Sequence, residues 1–212
     1  DELSPEELFD SNVIVDLSRV GSVETKALVM GLLIMKMQEY RMAVRAGNNS
    51  RLRHLTVLEE AHNLLKRTSP DQSSESSNLL GKSVEMLANS IAEMRTYGEG
   101  FIIADQAPGL LDLAVIRNTN TKIILGLPDR SDRELVGRAA SLNDNQILEL
   151  SKLKTGVAAV YQNHWLEPVL CHIHPCKDDE KPYELNLLVQ RQDDKKARAK
   201  IVDYLMLPAP QK

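Results

Sequence analysis

Apolar residues in this chain fall into two kinds of block. Dense runs rich in Val, Ile and Leu stand at residues 12–18, 55–58, 100–106, 121–127, 157–161 and 165–172, several of them beside Gly, Pro or Asn. Such runs predict strands. Between them lie longer stretches at 23–46, 79–97, 129–140 and 143–150. Apolar residues recur there at helical spacing: Val84, Leu87, Ala88, Ile91 and Met94 make one such face. Ser22 is placed to cap the first helix, and Gly47-Asn48-Asn49 to stop it. Gly98 and Gly100 end the second helix, and Pro108 closes the strand beyond it. Strands alternating with helices predict an α/β fold with a mostly parallel sheet. The last two runs, around Gln162-Asn163-His164, predict an antiparallel hairpin at its edge. The helix at 23–46 is apolar almost all round between Ala27 and Leu33, so it should pack on a sheet on one side and another element on the other.

Two segments stand apart from this alternation. Residues 68–78 are Ser-rich with Asp, Gln and Glu, the composition of a surface loop. Residues 177–212 form a highly charged tail with an amphipathic helix expected at about 187–206. The expected division is therefore one domain over 1–176 followed by that tail. The acidic start, without Met, reads as a cut point in a longer chain.

Composition narrows the classes. The chain has 212 residues, 42% hydrophobic and 26% charged, as in an ordinary globular protein with a sizeable core. Aromatics are only 4%, so Leu, Ile, Val, Met and Ala must fill that core. A net charge of −4 gives no global pull toward nucleic acid, so any DNA contact must come from a local patch or an assembly. Cys171 and Cys176 do not make a disulfide framework, and the expected location is cytoplasmic. The most apolar run, 27–35, is too short to span a bilayer.

The chemistry concentrates after the run at 55–58. Glu59 and Glu60 follow it directly, then Ala61 and His62. An apolar strand ending in paired carboxylates is the layout of a Walker B element. One acid can hold Mg²⁺, and the next can polarise a water for attack on a γ-phosphate. The open α/β sheet puts such residues at the strand's carboxyl end, where ligands bind. The bland alternative is a pair of carboxylates favoured by the following helix N-terminus. Gln106 ends the next strand, where a carboxamide can orient that water or bond locally to backbone. Arg95 stands near a helix C-terminus, where a cation is favourable in any case; it can also serve a neighbouring subunit as an arginine finger.

Other motifs carry less. Gly81-Lys82-Ser83 ends like a phosphate loop, but Ser76 replaces the first glycine and no apolar strand precedes it. Cys171, His172, His174 and Cys176 cluster, yet their spacing matches no zinc pattern, and strand alternation would send Cys171 and His172 to opposite faces. Asn118, Asn120 and Asp132 read as turn residues.

The pieces V-I-V-D-L-S (13–18), V-L-E-E-A-H-N-L-L (57–65), E-M-R-T-Y-G (93–98), I-I-A-D-Q-A-P (102–108) and N-T-N-T-K-I-I-L (118–125), in this order, resemble the HerA/FtsK superfamily of hexameric DNA-pumping ATPases. The HerA-like branch, with ATPases of conjugation and type IV secretion, is the nearest. The resemblance covers roughly residues 12–172. It implies a three-layer RecA-like P-loop core, ATP and Mg²⁺ as cofactors, a homo-hexamer acting on DNA, or secretion and conjugation partners at a membrane. It also implies roles: Glu60 as the water-activating acid, Glu59 as the Walker B acid near Mg²⁺, Gln106 as the polar sensor, and Arg95 as the arginine given to the next subunit. The chain departs from the family in having no Walker A motif between Asp1 and Glu59. The expectation is the C-terminal part of such an ATPase, binding nucleotide weakly or not at all by itself. The alternatives are a non-catalytic scaffold of the same fold, and a motor that moves protein.

Overall fold

Two runs of alternating residues build the centre of the molecule. β1 (His54–Glu59) and β2 (Glu99–Ala104) pair in parallel, with Thr56 opposite Phe101 and Glu59 opposite Ala104. His54, Thr56 and Leu58 share one face of this sheet with Glu99, Phe101 and Ile103. The computed structural model describes residues 3–44, 51–67 and 75–176. The described residues up to His174 belong to one unit.

Helices cover the inward face. α1 (Pro5–Phe9) is closed by a capping box between Ser4 and Glu7 and places Phe9 in the core. α2 (Val23–Ala43) is capped by Ser22, whose hydroxyl accepts the Thr25 N–H at 3.0 Å. α3 (Glu75–Met94) carries the crossover between the two parallel strands. Val84, Ala88, Ile91 and Met94 on α3 pack with Ile34 and Met37 of α2 and with Leu58 of β1. That is the helical face the spacing predicts, with Leu87 at its margin.

The second half forms a separate sheet. α4 (Leu113–Asn118) leads into β3 (Thr121–Ile124), followed by α5 (Arg130–Ala139) and α6 (Asp144–Glu149). β4 (Val157–Gln162) and β5 (Val169–His172) complete it, and the order β3-β4-β5 is antiparallel throughout. Its core is Ile124, Ala140, Leu142, Ile147, Leu150 and Ala159. Asp129 caps α5, and Asn143 closes a capping box with Gln146 on α6. Asp132 lies in the first turn of α5, where it accepts the Gly109 N–H.

The α/β class and the antiparallel final hairpin are as expected; several details are not. The strands divide into a two-stranded parallel sheet and a three-stranded antiparallel one, so β3 joins the hairpin and not β2. The apolar run at 55–58 reads as a buried central strand of a parallel sheet, yet among the described residues Leu55, Val57 and Ile102 are exposed on the side away from the helices, Val57 at 55%. The expected strand at 12–18 has no partner strand among the described residues, with Ile14 at 94% exposure. β-branched residues fit a half-buried pleated surface, and without a partner strand that preference has nothing to act on. α2 likewise keeps Leu28, Leu32 and Met35 exposed where a second neighbour was expected. α3 begins at Glu75, so the end of the Ser-rich segment is helix. The Gly47 stop, residues 68–74 and the amphipathic helix at 187–206 lie outside the described residues. No described helix is long and apolar enough to cross a membrane.

Candidate functional site

The carboxyl ends of β1 and β2 emerge side by side because the strands are parallel and in register, Glu59 against Ala104. Glu59 closes β1 on its exposed face. Glu60 then turns the chain with φ 49° and ψ 47°, the left-handed region. For a residue with a Cβ this conformation costs roughly 1–3 kcal/mol and persists only where its surroundings enforce it. They do so here: Ala61 and Leu65 are fully buried beyond the turn. The Glu60 carbonyl accepts the Asn63 N–H at 3.0 Å and the Asn63 side-chain amide at 2.9 Å. The carboxylate itself is left half open, its side chain 46% exposed.

Asp105 is the buried member of this end, with a side chain only 3% exposed. One oxygen accepts the His62 N–H and the other the Ala107 N–H, each at 2.8 Å. The His62 ring turns toward the same group, with Nδ1 at 3.0 Å from Asp105 Oδ2 and 3.4 Å from Glu60 Oε2. Ligand atoms of Glu60, His62 and Asp105 thus lie within 4.8 Å of one another. Gln106 follows directly and is exposed at the same sheet end. Sequence reasoning singled out Glu60 and Gln106 but passed over Asp105 and gave His62 no role. A carboxylate inside A-D-Q was the available signal, since a charge at a strand end needs a partner.

Arg95 lies elsewhere. It opens a 3₁₀ turn, Arg95–Tyr97, that precedes the amino end of β2 and closes at Gly98 with φ 85°. β2 separates it from the Glu60 end, and six residues of strand span about 20 Å. Arg95 is exposed and does not meet Glu60 within one chain.

At that amino end a second polar cluster forms, which the sequence did not reveal. Glu99, its side chain fully buried, accepts from Arg41 Nε at 2.9 Å and from Thr56 Oγ1 at 2.7 Å, and sits 2.7 Å from His54 Nδ1. Arg41 also donates to Asp10 and to the Phe9 carbonyl. Burial opposes the Arg41 charge, but the bonds to Asp10 and Glu99 outweigh it and raise its pKa. Asp10, bonded by Tyr40 and Arg41, is held below its usual range. The Tyr40 hydroxyl, donating to Asp10, is pushed up to about 12.

The remaining sequence motifs are structural in place. Gly81, Lys82 and Ser83 lie inside α3, not in a strand–loop–helix turn, so among the described residues no phosphate cradle forms there. No three of Cys171, His172, His174 and Cys176 bring ligand atoms together as a metal group. Asn118 ends α4 and Asn120 precedes β3, with the Asn120 carbonyl accepting the Asn163 N–H at 3.1 Å.

No model of a known protein family matches the chain. It is 32% identical over 152 residues to the DNA double-strand break repair helicase HerA of Sulfurisphaera tokodaii, a match covering 71% of this chain and 28% of that protein. It is 37% identical over 111 residues to the DNA double-strand break repair helicase HerA of Sulfolobus acidocaldarius, covering 51% of this chain and 20% of that one. The match therefore spans less than a third of either relative's length. Among solved structures, the genome packaging NTPase B204 of Sulfolobus turreted icosahedral virus 2, in complex with AMP, superposes with a TM-score of 0.53 at 11% identity. That superposition covers 82% of this chain and 73% of that one. The same NTPase with ATP-gammaS gives 0.51 over 81% and 77% at 12% identity. At such identity the likeness is one of fold.

Proposed function

This chain belongs with the HerA/FtsK-like ATPases and has the fold of P-loop NTPases, and on that footing we propose that it supplies the hydrolytic acids, sensor and inter-subunit arginine of a ring ATPase that moves DNA. The observation that carries this reading is the parallel register of β1 and β2, which delivers Glu60 and Gln106 to one sheet end. Glu60 is the general base: it is half exposed and held by its turn, open to accept from a water. Gln106 orients that water or the γ-phosphate from the neighbouring strand. Glu59, on the exposed face at the end of β1, is the acid that would face Mg²⁺, a cation that takes oxygen ligands. Mg²⁺ with ATP supplies charge neutralisation on the transferred phosphoryl group. The phosphate cradle comes from outside the described residues.

Arg95 acts in trans. Its place beyond the opposite end of β2 keeps it from its own chain's Glu60 and leaves it exposed for the next subunit. There a guanidinium can meet phosphate oxygens with two donors at once. An arginine placed for a neighbouring subunit accords with a ring such as a homo-hexamer, and the two relatives, named as DNA double-strand break repair helicases, support DNA as the substrate. The unpaired, exposed apolar face at Leu55, Val57 and Ile102 accords with further secondary structure packing there in the assembled protein.

The test is Glu60→Gln in the full-length protein. Hydrolysis falls by about a hundred-fold or more, while binding of a fluorescent ATP analogue stays at the wild-type level. Retained turnover removes Glu60 from the mechanism. A full-length protein that neither binds nor hydrolyses ATP is instead a scaffold of this fold.

A further inference from the structure

The buried carboxylate at the site's floor is not needed by any step above, yet it is tied to both sides of the site. Asp105 reaches across from β2 to bond the backbone N–H of His62, two residues after Glu60. Its other oxygen holds the N–H of Ala107, the residue after Gln106. The His62 ring, 23% exposed, lies between the two acids, its Nδ1 bonded to Asp105 at 3.0 Å and standing 3.4 Å from the Glu60 carboxylate. An anionic acceptor makes the stronger kind of hydrogen bond. Moreover, the left-handed conformation of Glu60 needs such an anchor, because on its own it relaxes toward commoner backbone regions.

We infer that Asp105 is a positioning residue: through His62 and Ala107 it locks the acid-bearing turn of Glu60 to the sensor-bearing turn of Gln106, so that the two groups keep one spacing around the attacked phosphate. It acts through the peptide groups and the imidazole and does not touch the nucleotide. Loop-borne groups misplaced by even an ångström lose about a hundred-fold in rate, so a tie between the two turns has a direct kinetic consequence. This inference rests on the reading of Glu60 and Gln106 as acid and sensor.

The experiment compares Asp105→Asn, His62→Ala and their combination with Glu60→Gln in the full-length, assembled protein, reading kcat, affinity for a fluorescent ATP analogue and thermal stability. Asp105→Asn keeps the size and one carbonyl acceptor but surrenders the other, and kcat falls about ten-fold or more with nucleotide affinity unchanged. His62→Ala leaves the backbone bonds to Asp105 in place and removes only the ring, giving a smaller fall of about three-fold or more. The double variant falls no further than Asp105→Asn alone, because both act along one path. A role confined to holding the fold together predicts something else: lower thermal stability, with His62→Ala leaving kcat untouched. Asp105→Asn within two-fold of wild type, or losses that simply multiply, overturns the inference. If Asp105→Asn does not fold, His62→Ala decides in the same way. If Glu60→Gln keeps its turnover, the underlying reading has failed instead; if Glu60→Gln is inactive and Asp105→Asn is not impaired, only the inference has.

Discussion

The two ends of the parallel strand pair hold the same kinds of group in opposite states. At the amino end Glu99 is wholly buried and faces Arg41, His54 and Thr56. At the carboxyl end Glu60 sits half open in a left-handed turn, with the His62 ring 3.4 Å from its carboxylate. The first cluster has its acceptors occupied and its charge matched. The second spends backbone strain to leave a carboxylate with capacity to spare. A buried, satisfied carboxylate serves the fold, because removing one partner strands the others in a medium that cannot solvate them. An anchored but accessible one can exchange protons with a ligand. Histidine, carboxylate and strand end are common to both, so residue type alone does not tell a structural cluster from a reactive one; burial and free lone pairs do.

That contrast breaks most visibly in stability. Glu99→Ala leaves Arg41 buried with its Glu99 bond gone, and the full-length protein loses about 3–5 kcal/mol of unfolding free energy. Glu60→Gln, at a half-exposed position, costs little and stays within about 0.5 kcal/mol. Denaturant titration of both variants checks the pair. Equal losses at the two sites erase the distinction between them.

A smaller effect lies at the margin of the amino-end cluster and depends on pH. The Tyr40 hydroxyl is raised from 10.0 to about 12 by its bond to Asp10, with burial adding to the shift. The folded chain therefore keeps a proton that the unfolded chain gives up. The stabilisation is full below pH 10 and is lost as pH rises toward 12. Thermal melts across that window fall more steeply for wild type than for Tyr40→Phe. Asp10 shifts the other way: its lowered pKa contributes stability above its ordinary value of 3.8, lost as pH falls through the folded value. Asp10→Asn flattens that acid limb. Parallel slopes for variant and wild type in either window exclude the residue from the cluster's energetics.

The sequence made some of this legible and hid the rest for physical reasons. β1, β2 and the packed face of α3 were readable because dense apolar runs and helical spacing are local signals, as was Ser22 as a cap. The placing of Glu60 and Gln106 at one sheet end was readable because an apolar run carries its terminal residues to the strand's carboxyl end. The Arg41–Glu99 pair was not: its members are 58 positions apart, and nothing local marks a buried charge. Asp105 hid because a polar residue ending a strand is ordinary until its burial is known. The run at 12–18 misled in the reverse sense, with the composition of a strand and no strand to pair with among the described residues. The division into two sheets depends on which strands meet, and no single segment carries that information.

The proposed motor rests on one claim above the others: that the acid and the arginine of a working site come from different copies of this chain. The measurement is ATP turnover after Arg95→Ala and Glu60→Gln subunits, each inactive alone, are mixed and reassembled in full-length form. Interfaces that join an intact Glu60 to a neighbour's intact Arg95 restore hydrolysis in the mixture. A mixture as inactive as its separate components, once exchange of subunits has been verified, contradicts the shared site.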